Sequence, residues 1–124
     1  MKTQIICGNA PSAIGPYSQA IKANGMLFVS GQLGLDMKTG EIPPDIKDQI
    51  KCCMENVRSI IEEAGGTMEQ VVRCAIYLKD MNDFAVVNEI YGSFFKEPYP
   101  ARTTVEVARL PKDVKVEVDA FLVF

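Results

Sequence analysis

The chain contains no histidine and no tryptophan in its 124 residues. Any chemistry must come from Arg, Lys, Asp, Glu, Tyr, Ser, Thr or Cys. Ser-His-Asp and Cys-His catalysis, a His general base and His-ligated metals are excluded. Two side chains stand out by position. Arg102 lies two residues after Pro100 at the start of a strand-like run, and Thr104 follows on the same face by period-two alternation. Glu117 lies between Val116 and Val118 in the last apolar run. A glutamate there is either solvated on an outer face or a partly buried carboxylate, and spacing alone favours the solvated place. If the runs 101–107 and 114–124 pair as a hairpin, Arg102 and Glu117 can share a face. The register decides this, and the sequence leaves it open. The bland version of such a pair is a surface ion pair of little energetic value. Ser30-Gly31, after the run Met26–Val29, can present a hydroxyl and a backbone N–H to a ligand, although most such pairs are simple bends. Tyr17, in the loop-like segment Ile14–Ser18, can cap a pocket or merely pack.

The four cysteines, Cys7, Cys52, Cys53 and Cys74, form no CxxC pair. Cys52 and Cys53 are adjacent, and on a helix they point about 100° apart, a poor arrangement for one metal site. Reduced, partly buried thiols are expected. Phosphate-binding loops, dinucleotide fingerprints, nucleophile elbows and calcium loops are all missing.

The elements that must position these residues follow from periodicity. Asn24-Gly25 between the runs 17–23 and 26–30 predicts a hairpin, since both residues tolerate positive φ. A helix is expected after Asp45, running to Ala64, with Ile46, Ile50, Cys53, Val57, Ile60, Ile61 and Ala64 on one face. Gly65-Gly66 ends it. Thr67 to Gln70 has capping-box spacing for a single turn. Residues 71–78 read as a strand. A second helix over 84–95, capped by Asp80 or Asn82, carries Phe84, Val87, Ile90, Tyr91, Phe94 and Phe95. Strands 101–107 and 114–124 complete the order β-β-α-β-α-β-β, an α+β layout with two helices on one face of a mixed sheet.

The last strand puts Val114, Val116, Val118, Ala120 and Leu122 in one row, and Phe121 and Val123 in the other with Lys115, Glu117 and Asp119. Met26 and Phe28 likewise oppose Leu27 and Val29. A second apolar sheet face with no helix to cover it points to burial against another subunit. Hydrophobic residues make up 48% and charged ones 23%, as in a single globular domain over residues 1–124. The net charge of −3 and pI near 4.9 give no broad basic footprint, so nucleic acid is not an expected partner. The first residues carry no secretory h-region, and the longest uncharged apolar run, near Met26–Val29, is far too short for a bilayer. A soluble, cytoplasmic protein is expected.

Several segments together resemble the RidA/YjgF family of reactive intermediate deaminases. They are Asn9-Ala10-Pro11, Ile14 to Gln19, Ser30-Gly31-Gln32, Lys38 to Glu41, Asn56-Val57, Lys79 to Phe84 with Asn88, and Pro100 to Asp113 continuing to Val116-Glu117-Val118. They span nearly the whole chain in order. The resemblance implies a chorismate-mutase-like α+β subunit and a homotrimer with clefts between subunits. It implies hydrolysis of 2-imino acids and their enamine tautomers, such as 2-iminobutanoate and 2-iminopropanoate, to 2-keto acids and ammonia. It implies no cofactor and no metal, and a functional link to the pyridoxal-phosphate-dependent dehydratases that release such imines. By the same resemblance Arg102 grips the substrate carboxylate and Glu117 serves the attacking water. Tyr17, Ser30 and Gly31 line the cleft, and Asn88 lies near it. The chain departs from many relatives at Thr104, where they carry cysteine. Three other classes of function stay open: a regulator that binds a 2-keto acid or amino acid without turnover, the ribonuclease or translation-inhibitor role ascribed to some family members, and a structural or chaperone-like oligomer, for which no sequence feature speaks directly. The acidic balance and the missing histidine weigh against the second.

Overall fold

A computed structural model describes all 124 residues. The strands are β1 (Thr3–Ile5), β2 (Ala20–Ala23), β3 (Met26–Leu33), β4 (Val71–Leu78), β5 (Ala101–Glu106) and β6 (Val116–Val123). The helices are α1 (Ile46–Glu63), between β3 and β4, and α2 (Phe84–Gly92), between β4 and β5. The sheet order is β1-β2-β3-β6-β4-β5. Only β4 and β5 run parallel, joined by the α2 crossover; the other neighbours are antiparallel. The fold is thus α+β with a mixed sheet.

The Asn24-Gly25 hairpin forms as expected, with φ of 52° and 75°, the left-handed region that a tight two-residue turn demands. The single turn Met68–Gln70 forms too, and Gln70 Oε1 accepts from the Thr67 N–H at 2.9 Å. Asp80 caps the turn Met81–Asp83 that leads into α2, accepting from the Asn82 N–H. Asp45 stands at the start of α1 but makes no side-chain cap bond.

Both helices share one core with one face of the sheet. Ile50, Cys53, Met54, Val57, Ile60 and Ile61 of α1 are fully buried against Leu27, Ile76, Leu78, Val116, Val118 and Leu122. Each such side chain contributes roughly 1.5–3 kcal/mol of transfer free energy. Polar staples fix the layers. Asn56 Nδ2 donates to the Leu33 and Leu35 carbonyls at 3.1 and 3.0 Å, tying α1 to the end of β3. Gln49 donates to the Pro43 carbonyl and accepts from the Lys115 N–H. The opposite face stays open: Phe28 packs edge-on against Phe121 at 4.7 Å, and Phe28 and Val123 remain 44% and 45% exposed. No helix is long and apolar enough to cross a membrane.

The structure corrects four expectations. β1 is an additional strand, too short to show a period. Residues 17–19 are loop, and strand β2 starts only at Ala20. α2 ends at Gly92, and Ser93 to Phe95 continue as turns. Most important, the last two strands do not form a hairpin. β4 lies between them, so β5 pairs with β4 and β6 with β3 and β4.

Candidate functional site

The strand order separates the two leading side chains. Arg102 lies beside Cys74, which in turn lies beside Ala120, and both of these face the helix-covered core. Glu117 lies beside Tyr77 and Leu33 and alternates with buried Val116 and Val118, so it faces the open side. Arg102 and Glu117 are therefore on opposite faces of the sheet and share no face.

The first half of the site is built by β5 and α2. Phe84, Asn88 and Tyr91 follow at i, i+4 and i+7, one helix face, and that face looks onto Arg102. Arg102 Nη1 donates to Asn88 Oδ1 at 2.7 Å, and the guanidinium carbon sits 5.1 Å from the Tyr91 ring centre and 5.6 Å from that of Phe84. Arg102 is half-buried and has no carboxylate partner; the one salt bridge of the chain joins Arg109 to Asp113. Beside it opens a cavity of about 610 Å³ lined by Asn88, Glu89, Tyr91, Tyr99, Pro100 and Arg102. Two hydroxyls here are buried without a hydrogen bond, Thr104 Oγ1 and Tyr91 Oη. The Tyr91 hydroxyl faces the Cys74 thiol, and burial pushes Cys74 up to about 11.

The second half lies at a bulge in β3. Between Val29, paired with Ala120, and Gln32, paired with Val118, β3 carries one extra residue. Ser30 and Gly31 occupy it, and Ser30 Oγ donates to the Ser18 carbonyl at 2.6 Å. The Glu117 carboxylate rests directly on Gly31: a β-carbon there would overlap Glu117 Oε2 and stand 2.8 Å from Cδ. Burial, and then the neighbouring Asp119 carboxylate, raise the Glu117 pKa above its ordinary value. Tyr17 is exposed and lines a smaller cavity with Pro11, Ile14, Gly31 and Lys112. The loop that presents Tyr17 is stapled by buried Gln19, which accepts from the Cys7 N–H at 2.7 Å and donates to the Pro11 carbonyl at 2.7 Å. Lys112 sits in the left-handed region at φ 57°, in a turn braced by the two-bonded Arg109–Asp113 pair.

The structure thus joins Arg102 to Asn88 with Thr104 nearby on the same strand, and Glu117 to Gly31 with Ser30 and Tyr17 nearby. Sequence reasoning missed Asp119, which accepts from the Ala75 N–H and the Tyr77 hydroxyl beside Glu117. The i, i+2 spacing of Glu117 and Asp119 on one strand was its signal. It also took Phe84 and Tyr91 for core, because an aromatic stripe at helical spacing looks the same in either role. All four cysteines are free, with Cys7, Cys53 and Cys74 buried.

A family model described as Endoribonuclease L-PSP matches residues 7–124. The chain belongs to this family, the RidA/YjgF family. A RutC family protein of Pyrococcus horikoshii is 54% identical over 121 residues, covering 97% of this chain and 96% of that one. The 2-iminobutanoate/2-iminopropanoate deaminase of Escherichia coli K12 is 46% identical over 126 residues, covering 99% and 98%. A crystal structure of E. coli TdcF with bound serine superposes with a TM-score of 0.94 at 44% identity, covering 98% of both chains. For this RidA/YjgF member, fold and family agree along the full length.

Proposed function

We propose that this chain is an imine deaminase that hydrolyses reactive 2-imino acids to 2-keto acids and ammonia. The observation that carries the reading is Arg102, half-buried, unpaired with any acid and oriented by Asn88 at the mouth of an open cavity. A guanidinium so placed matches one small carboxylate bidentately. The deaminase relative of E. coli, at 46% identity, supports the same chemistry.

The mechanism follows from the residues. A protonated imine carbon is already electrophilic, so water can attack it without a covalent enzyme nucleophile, metal or cofactor. Glu117 orients the water and takes its proton as the C–O bond forms. It returns that proton to the nitrogen and then takes the remaining hydroxyl proton as the C–N bond breaks, so that the C=O forms, ammonia leaves and carries that last proton away as ammonium. A carboxylate whose pKa is raised by burial and by Asp119 is suited to holding that proton in transit. Ser30 and the backbone at Gly31 offer polar contacts beside the reacting carbon, and Tyr17 borders the cleft.

The two halves lie on opposite faces of one sheet, so one protomer does not bring Arg102 to Glu117. In this reading three copies, each a chorismate-mutase-like subunit, associate through their open apolar faces as a homotrimer. Each cleft takes Arg102 from one copy and Glu117 from the next. The enzyme acts in the cytoplasm on imines released by pyridoxal-phosphate-dependent dehydratases.

The test couples a threonine dehydratase to this protein and follows loss of 2-iminobutanoate, with the mass of the assembly taken by light scattering. Accelerated imine loss and a mass about three times 13.7 kDa are expected. Binding of 2-ketobutyrate without acceleration would make the protein a regulator instead. A monomer would remove the shared cleft.

A further inference from the structure

Arg102 is framed more closely than gripping a carboxylate requires. Three side chains of one α2 face, Phe84, Asn88 and Tyr91, all meet its guanidinium, and none of them is an acid. We infer that these three form a clamp that selects which edge of Arg102 meets the ligand carboxylate, with Phe84 and Tyr91 acting as positioning residues. The inference rests on the proposed role of Arg102 and extends it to residues that touch the arginine.

The geometry defines the selection. A guanidinium offers a carboxylate two parallel pairs of donors, one from Nη1 and Nη2 and one from Nε and Nη2. Asn88 Oδ1 occupies Nη1 at 2.7 Å. The Nε–Nη2 edge is the one whose two nitrogens are both without a protein partner. Both ring centres lie within about 6 Å of the guanidinium carbon, the range in which an aromatic face attracts a cation and restrains its plane. Tyr91 is 3% exposed, its ring packed into the core, and Phe84 is 37% exposed at the first residue of α2. The Tyr91 hydroxyl faces Cys74 and makes no hydrogen bond to Arg102, so the clamp uses the ring. With the plane and one edge fixed before binding, the reacting carbon is held at a set place relative to the attacking water.

The test compares calorimetric binding of 2-ketobutyrate and of its amide, 2-ketobutyramide, in the wild type and five variants: Phe84→Leu, Asn88→Ala, Tyr91→Leu, Tyr91→Phe and Arg102→Ala. Phe84→Leu and Asn88→Ala should each weaken 2-ketobutyrate by about three- to tenfold and leave the weaker amide binding unchanged. Tyr91→Leu should do the same, and Tyr91→Phe, which keeps the ring, should restore affinity. The NMR signal of the Arg102 Nε–H should exchange faster in Phe84→Leu than in the wild type without ligand. Equal losses for acid and amide would show a general structural effect and overturn the clamp. So would wild-type acid affinity in Phe84→Leu and Asn88→Ala while Arg102→Ala loses binding; the role of Arg102 would then stand. Undiminished binding in Arg102→Ala would sink the role of Arg102 and the clamp together.

Discussion

Replacing Gly31 by alanine tests the place of Glu117 without touching any charged group. Gly31 sits in the β3 bulge with no positive φ, so alanine adopts its backbone without strain. The added methyl overlaps Glu117 Oε2 and stands 2.8 Å from Cδ and 3.2 Å from Cγ. Ordinary carbon–carbon contacts lie at about 3.5–4.0 Å, so the carboxylate must retreat by roughly 1 Å. The atoms that must give way belong to the end of a flexible, half-buried side chain and not to backbone, which keeps the cost to the fold small. Catalysis is less forgiving: a misplacement of about 1 Å can cost around 10²-fold, some 2.7 kcal/mol of barrier. Gly31→Ala should therefore melt near the wild type while 2-iminobutanoate hydrolysis, driven by a threonine dehydratase, falls about a hundredfold. Gly34→Ala is the contrast. A methyl there stands 2.7 Å from the Gln49 Cα in the backbone of α1, where nothing can rotate away. Overpacking of that kind costs about 1–3 kcal/mol and should lower Tm by several degrees. Wild-type turnover in Gly31→Ala, with the carboxylate visibly displaced in a crystal structure, would refute the role of Glu117.

Arg102→Ala should abolish both 2-keto acid binding and hydrolysis, whereas Arg102→Lys, which keeps the charge but not the two parallel donors, should recover only a small part; full activity in the lysine variant would show that a point charge suffices. Glu117→Gln should bind 2-ketobutyrate nearly normally yet lose about 10²–10⁴-fold in turnover, measured in the coupled assay. The same variant should be more stable than the wild type at neutral pH. A carboxyl whose folded pKa is raised favours folding below its ordinary 4.5, and that contribution fades as pH climbs through the raised value. Thermal melts at pH 7 and pH 4 should show the gain closing in acid. RNA cleavage should stay at contaminant level, since the net charge of −3 offers no track for a phosphate backbone; cleavage that disappears in Arg102→Ala would reverse that expectation.

The helices and five of the six strands were legible, because each carries a period long enough to read or, for the short β2, the Asn24-Gly25 turn that marks it. The buried row of β6 and the α1 stripe fell where alternation and 3.6-fold spacing put them. β1, three residues long, has no period to detect. The pairing of β5 was illegible for another reason. A parallel neighbour is chosen by the crossover helix between β4 and β5, and nothing local to residues 101–107 records that choice. That error carried directly into the site, since hairpin pairing was the condition under which Arg102 and Glu117 could share a face. The role of Gly31 was only half visible. Ser-Gly after a strand signals a bend, but the bulge, and the carboxylate that fills the space of the missing side chain, belong to the pairing with β6.

The separation of the two charged groups has a chemical consequence. Side by side on one face, Arg102 and Glu117 would pair with each other. The arginine would then have to break that pair to accept a substrate carboxylate, and the cation would pull the glutamate pKa down. On opposite faces neither happens. Arg102 keeps its donors for Asn88 and an incoming carboxylate, and the groups that shift Glu117 are burial and an acid, with no cation among them. In the proposed cleft the two meet only across a subunit boundary, with the ligand between them: the carboxylate neutralises the arginine at one end and the protonated imine faces the glutamate at the other. In the proposed assembly the arginine meets a proton carrier that is not histidine but a carboxylate whose pKa burial and Asp119 raise, and which the fold keeps away from its natural counter-ion.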